Sequence, residues 1–235
     1  MKVRYLIKFT KDSHIKFISH LDLMRTIQRI IKRGDLPIEY SQGFNPHMSL
    51  SIAQPLSVGA HSEGEYMDIV LKEELSEEEV KERLNANCPS GIKILEAKKV
   101  KSLENVKKTP QAMALIDAAS YTIKMRYEGI EDLEAQITSL LEREQWTILK
   151  KSKSGEKMVD IKPMVKTIKY WTKEDFIVFN VLISCGSREN LSPDLLSQYI
   201  KESTKGFKEN SFIDIKREEM YAYKHDKLVP IYKYV

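Results

Sequence analysis

Cysteine, histidine and glycine are scarce in this chain, and each scarcity removes a class of chemistry. There are two cysteines, five histidines and nine glycines in 235 residues. Cys88 and Cys185 lie far apart in no paired spacing, which argues against a disulfide framework, a zinc knuckle and an iron–sulfur cluster held by this chain alone. There is no Walker phosphate loop, Rossmann glycine fingerprint, nucleophile elbow or HExxH. No apolar run approaches the ~18 residues of a membrane span, and the start does not resemble a signal peptide. The expectation is a cytoplasmic protein that holds no cofactor and no metal.

A hydrophobic share of 42% suffices for a packed core, and the net charge of +4 permits a nucleic-acid partner without demanding one. Basic residues gather over Lys2–Arg33, Lys98–Lys108 and Lys150–Lys173, whereas Glu63–Arg83 is acidic overall.

The first half is clearly punctuated. VRYLIKFTK (Val3–Lys11) reads as a strand. A helix follows with Ser19 as N-cap, Asp22 three residues on, and Ile18 with Leu23 as a hydrophobic staple; Gly34 stops it and Pro37 lies beyond. MSLSIAQPL and GEYMDIVLK read as strands. A second helix starts at Ser76, with Glu79 completing a capping box and Leu75 and Val80 a second staple, and ends near Cys88. GIKILEAKKV closes the set. The order β-α-β-β-α-β is that of ferredoxin-like domains.

The second half repeats this order: strand SYTIKMRYE, a helix over about Glu131–Glu144, a hairpin turning at Thr172–Asp175, a helix with Ser192 as N-cap and Pro193 at its first position, and the closing strand FIDIKREEMYAYK. WTILKKSKSGEK adds a further strand. The expected fold is α+β, two tandem ferredoxin-like (βαββαβ) domains over residues 1–105 and 120–235, joined by a linker at 106–119.

Candidate functional residues concentrate in the first half. Asp22, Arg25, Arg29, Lys32 and Arg33 fall on the helix face opposite Leu23, Ile27, Ile30 and Ile31. This is a solvated face or an anion surface, on which Arg25 and Arg29, one turn apart, grip adjacent phosphates. SQGFNPHMSL (Ser41–Leu50) sets Gly43, Asn45 and Pro46 around Phe44, and His47 follows. It is either a rigid connection with Phe44 tucked into the core or a loop that exposes Phe44 to a partner. His14, His20, His47 and His61 all fall on loops or element ends, which suits a site, but no pair has a metal-ligand spacing. Tyr170 and Trp171, among lysines at a hairpin tip, suit single-stranded nucleic acid or a charged edge hairpin.

Phe17–Leu71 contains SHLDLMR, LPIEYSQGFNPH, LSIAQPLSVG and SEGEYMD, and through them resembles the radical-SAM-associated family whose members end a larger radical SAM protein or stand alone as a "radical SAM-linked protein". GSRENLSPDLL (Gly186–Leu196) resembles its second signature, with Ser192 where arginine is expected. The resemblance implies a separately encoded radical SAM partner, since this chain lacks CxxxCxxC, and a setting in RNA metabolism. The tandem order also resembles the CRISPR RNA-processing endoribonucleases, although KREEMYAYKHDKLVPIYKYV lacks their glycine-rich loop.

The leading expectation is an accessory binding module that presents RNA or protein substrate to that enzyme through Arg25, Arg29, Arg33, Gln42, Gly43, Phe44, Asn45 and His47. The alternative is a metal-independent endoribonuclease with His20 or His47 as the acid–base group.

Overall fold

A computed structural model describes residues 2–101, 109–129, 132–152 and 155–235. The protein is α+β. Its chain divides into two compact units, one of residues 1–117 with 217–235, the other of residues 118–216. The boundary expected from sequence, at 105–120, assigns the closing segment to the second half. The structure groups residues 217–235 with the first unit, where Arg217 and Glu219 find ion-pair partners in Glu65 and Lys8. Residues 106–108 of the expected linker and Glu131 of the expected helix lie outside the described residues.

In the first unit, β1 (Val3–Lys11), α1 (His20–Arg33), β2 (Leu50–Ala53), β3 (His61–Leu71), α2 (Glu77–Asn85) and β4 (Ile94–Lys99) follow the expected order. β4 and β3 flank β1, both antiparallel to it, and β2 pairs with β3 over Tyr66–Ile69. Alternation sets the core. Val3, Tyr5, Ile7 and Phe9 of β1 meet Leu23, Ile27, Ile30 and Ile31 of α1 and Val80 and Leu84 of α2. A short helix, α3 (Ala112–Leu115), follows β4, and Ala112 donates its N–H to Asp68 at 2.7 Å.

The helix caps form as the sequence dictates, with two differences. Ser19 and Ser76 accept from the N–H of Asp22 and Glu79 at 3.2 and 3.1 Å. The Glu79 carboxylate, however, binds Arg83 at 2.5 Å instead of returning to Ser76, since the arginine one turn on offers a charge-assisted bond. Gly34 has φ −76°, and Asp35 takes the left-handed turn. Glycine is needed at 34 because a Cβ would lie 2.9 Å from the Arg83 carbonyl oxygen.

The second unit holds β5 (Ala118–Arg126), α4 (Leu133–Glu142), β6 (Thr147–Ser152), β7 (Gly155–Asp160), β8 (Val165–Lys173), β9 (Phe176–Ser184) and α5 (Pro193–Ser203). β9 lies between β5 and β8, antiparallel to both. Where a single extra strand is expected near Thr147, two antiparallel strands pair, β6 and β7. Ser192 caps α5 by accepting from Leu195 N–H at 3.2 Å. Buried Trp146 stacks on Tyr199 at 5.4 Å and donates Nε1–H to the Leu140 carbonyl at 3.1 Å.

β10 (Asp214–Lys224) crosses the boundary between the units and turns at His225–Asp226 into β11 (Lys227–Pro230), and α6 (Ile231–Tyr234) ends the chain. Among the described residues no helix is long and apolar enough to cross a membrane.

Candidate functional site

The loop opening at Ser41 is closed at its base and open at its tip. Ser41 N–H donates to the His47 carbonyl at 2.8 Å, and His47 N–H donates to Ser41 Oγ at 2.9 Å. Tyr40 bridges to Met48, while Glu39 N–H and the Ser49 carbonyl bond to Val70. Gln42, Gly43, Phe44, Asn45 and His47 are all exposed. Phe44 reaches 113% relative exposure, so the alternative in which it fills the core is excluded. The reason is local. A hydrogen-bonded base running from Ser41 to His47 leaves the tip no path back to the core. Gly43, at φ +126° and with open space on the side where a Cβ would project, turns the chain outward.

The helix α1 presents its polar face as the periodicity predicts: Asp22, Arg25, Arg29, Lys32 and Arg33 are exposed. Arg25 is engaged by Asp22 at 3.3 Å. Asp22 itself is held below its ordinary pKa, first by the Ser19 hydroxyl and also by Arg25. Arg29, Lys32 and Arg33 form no ion pair with any described residue.

Topology separates the histidines. The loop's stem lies at Val70, opposite Arg4 on β1, and α1 ends on the same side through Gly34 and the Ile38–Leu71 bridge. His20 starts α1 at the other end, where Lys11 pairs with Ser62. From Arg4 to Lys11 the strand rises about 23 Å. The stem of His47 and the position of His20 therefore sit at opposite ends of the unit, and Arg29 and Arg33 fall in the half of α1 nearer the end that carries the loop's stem. His14 bonds Ser90 at 3.1 Å near the His20 end, and His61 opens β3 there. His20 Nδ1 is buried and finds no hydrogen-bond partner among the described residues. No group of three potential metal ligands occurs among them.

The end of the unit that carries His20 hides a charge cluster that sequence reasoning missed. Buried Glu65 receives two bonds from buried Arg217, whose other N–H groups reach the Gln54 carbonyl at 2.9 and 2.8 Å. Lys11 Nζ donates to the carbonyls of Lys16 at 2.9 Å and Ala60 at 3.2 Å, fastening two loops beside the start of α1. Burial lowers the Lys11 pKa, against the pull of Glu65. Glu219 takes Lys8 and Tyr66, each at 2.7 Å. Burial raises the Tyr66 phenol, and the nearby Glu219 adds to the shift. The signal is present in GEYMDIVL, a strand that buries both faces yet carries Glu65 and Asp68.

The family model described as "Uncharacterized protein conserved in bacteria (DUF2344)" matches residues 4–193. The chain belongs to this family. No curated protein matches it. Among solved structures, a chain of the "Crystal Structure of a Cbf5-Nop10-Gar1 Complex" is similar at 10% identity and a TM-score of 0.51, over 92% of this chain and 48% of that one. This chain thus spans about half the length of that relative, and the likeness is one of fold alone. An unknown protein from Galdieria sulphuraria aligns at 12% identity and a TM-score of 0.27, over 93% and 98% of the two chains.

Proposed function

We propose that the protein is a non-catalytic binding module of the cytoplasm, built from two ferredoxin-like βαββαβ halves, that docks a separately encoded radical SAM enzyme in RNA-related metabolism. The observation that carries the docking surface is Phe44, a large aromatic held wholly in water by a loop whose base is hydrogen-bonded shut. Aromatic residues and arginine are the usual composition of a binding hot spot, and Arg29 and Arg33 fall in the half of α1 nearer this end of the unit. The radical SAM partnership rests on SHLDLMR and SQGFNPH. The neighbours β4-β1-β3-β2 support the ferredoxin-like half, and the two free cysteines suit a reducing compartment. A cleavage mechanism using His20 and His47 together is less well supported, because their elements lie at opposite ends of α1.

The test is capture from the native host's lysate, with and without ribonuclease, followed by mass spectrometry. A retained protein carrying CxxxCxxC, insensitive to ribonuclease and lost on Phe44→Ala or Arg29→Glu/Arg33→Glu, supports the proposal. Retention unchanged in both variants removes the surface assignment. Absence of any such protein removes the radical SAM partnership.

A further inference from the structure

Tyr170 and Trp171 do not share a face, although they are neighbours in sequence. Tyr170 turns to the helices, its hydroxyl 3.2 Å from Thr138 of α4, and Thr172 bonds Glu134 on the same side. Trp171 turns the other way and is 49% exposed. The register extends the face of Trp171, opposite to the one on α4, across three strands: Lys169, Trp171 and Lys173 on β8 stand opposite Asn180, Val178 and Phe176 on β9, which stand opposite Thr122, Lys124 and Arg126 on β5.

The composition of these nine positions is one-sided. Four are cationic and none is acidic. Arg126 pairs with Asp175 at the turn, whereas Lys124, Lys169 and Lys173 have no carboxylate partner among the described residues. Lys124 Nζ sits 3.8 Å from the centroid of the Phe176 ring, which holds that ammonium on the sheet surface. Exposed Asn180 adds an amide able both to donate and to accept.

We infer that this open face of β5–β9–β8 binds single-stranded nucleic acid, with a base stacked on Trp171 and adjoining phosphates on Lys169, Lys173 and Lys124. A flat strand surface with an exposed indole reaches base faces only when they are unpaired, which disfavours a duplex. Binding here is independent of the Phe44 loop, which belongs to the other unit.

The chain's only other tryptophan, Trp146, is buried away from any ligand, so a ligand-dependent change in emission reports on Trp171. The full-length protein is titrated with a uridine dodecamer, the matching thymidine dodecamer and a blunt duplex. Saturable quenching by the single strands is expected, and the stronger of the two identifies RNA or DNA. Log affinity should fall with log salt at a slope of about −2, roughly −0.7 for each of three lysines. By fluorescence anisotropy of a labelled oligonucleotide, Trp171→Ala should weaken binding by roughly tenfold or more. Lys169→Glu/Lys173→Glu should lower affinity and flatten the salt slope. Equal affinity for the duplex, or affinity untouched in both the tryptophan and lysine variants, would overturn the inference. So would the absence of saturable binding at low salt.

Discussion

Arg217 meets Glu65 through two parallel hydrogen bonds, Nε to Oε1 and Nη2 to Oε2, each 2.9 Å long, across 152 residues of sequence. Both side chains are 1% exposed. A pair so fully removed from water is a poor source of net stability but a costly one to break. Arg217→Met or Glu65→Met alone is expected to cost about 3–5 kcal/mol, since each deprives a buried charge of its two-bond partner. The double variant should cost clearly less than the sum, because it leaves neither member of the pair buried alone, while Lys11 keeps its two carbonyl acceptors but loses the pull of Glu65. Urea unfolding of the four proteins measures the coupling. Simple additivity would show that the pair is not formed in solution.

Lys11 gives the same cluster a pH signature. Its folded pKa lies below the ordinary 10.5, with burial the principal cause. Between the folded and the unfolded value the unfolded chain binds the extra proton, so stability rises with pH through that window. The whole protein titrates other groups there, and the comparison with Lys11→Met isolates this one. The unfolding midpoint of the wild type should therefore gain on that of Lys11→Met as pH climbs towards 10.5. A difference that stays constant with pH would place Lys11 in water.

Local signals are legible in the sequence and long-range ones are not. Ser19, Ser76 and Ser192 each read as caps because the capping hydroxyl and its donor N–H lie three residues apart. The apolar face of α1 follows from its period alone. Phe44 stays ambiguous in sequence because its exposure depends on how Ser41 and His47 close the loop, a pairing that propensity does not encode. Glu65 and Asp68 are visible inside a strand, but their partners Arg217 and Arg4 are set by strand neighbours distant in sequence. Trp171 stands out for its company of lysines, yet its separation from Tyr170 follows from pleat and register, and these also decide which cations share its face.

Two glycines separate a packing requirement from a torsional one. A Cβ on Gly64 would lie 2.7 Å from both the Glu218 carbonyl oxygen and the Glu219 Cα, and backbone yields less readily than a side chain. Gly64→Ala must therefore push β3 away from β10, beside the Arg217–Glu65 pair, and a cost of about 1–3 kcal/mol is expected from overpacking. Gly43 has open space around it and a φ of +126°. Gly43→Ala meets only backbone strain, about 1–3 kcal/mol if the loop holds its shape and less if the exposed tip relaxes. Amide hydrogen exchange tells the two apart even where the energies coincide. Gly64→Ala should speed exchange along β3 and leave the loop unchanged, while Gly43→Ala should act on the amides around Phe44 alone. Slow β3 exchange retained in Gly64→Ala would mean that the close approach of these strands is not what requires glycine there.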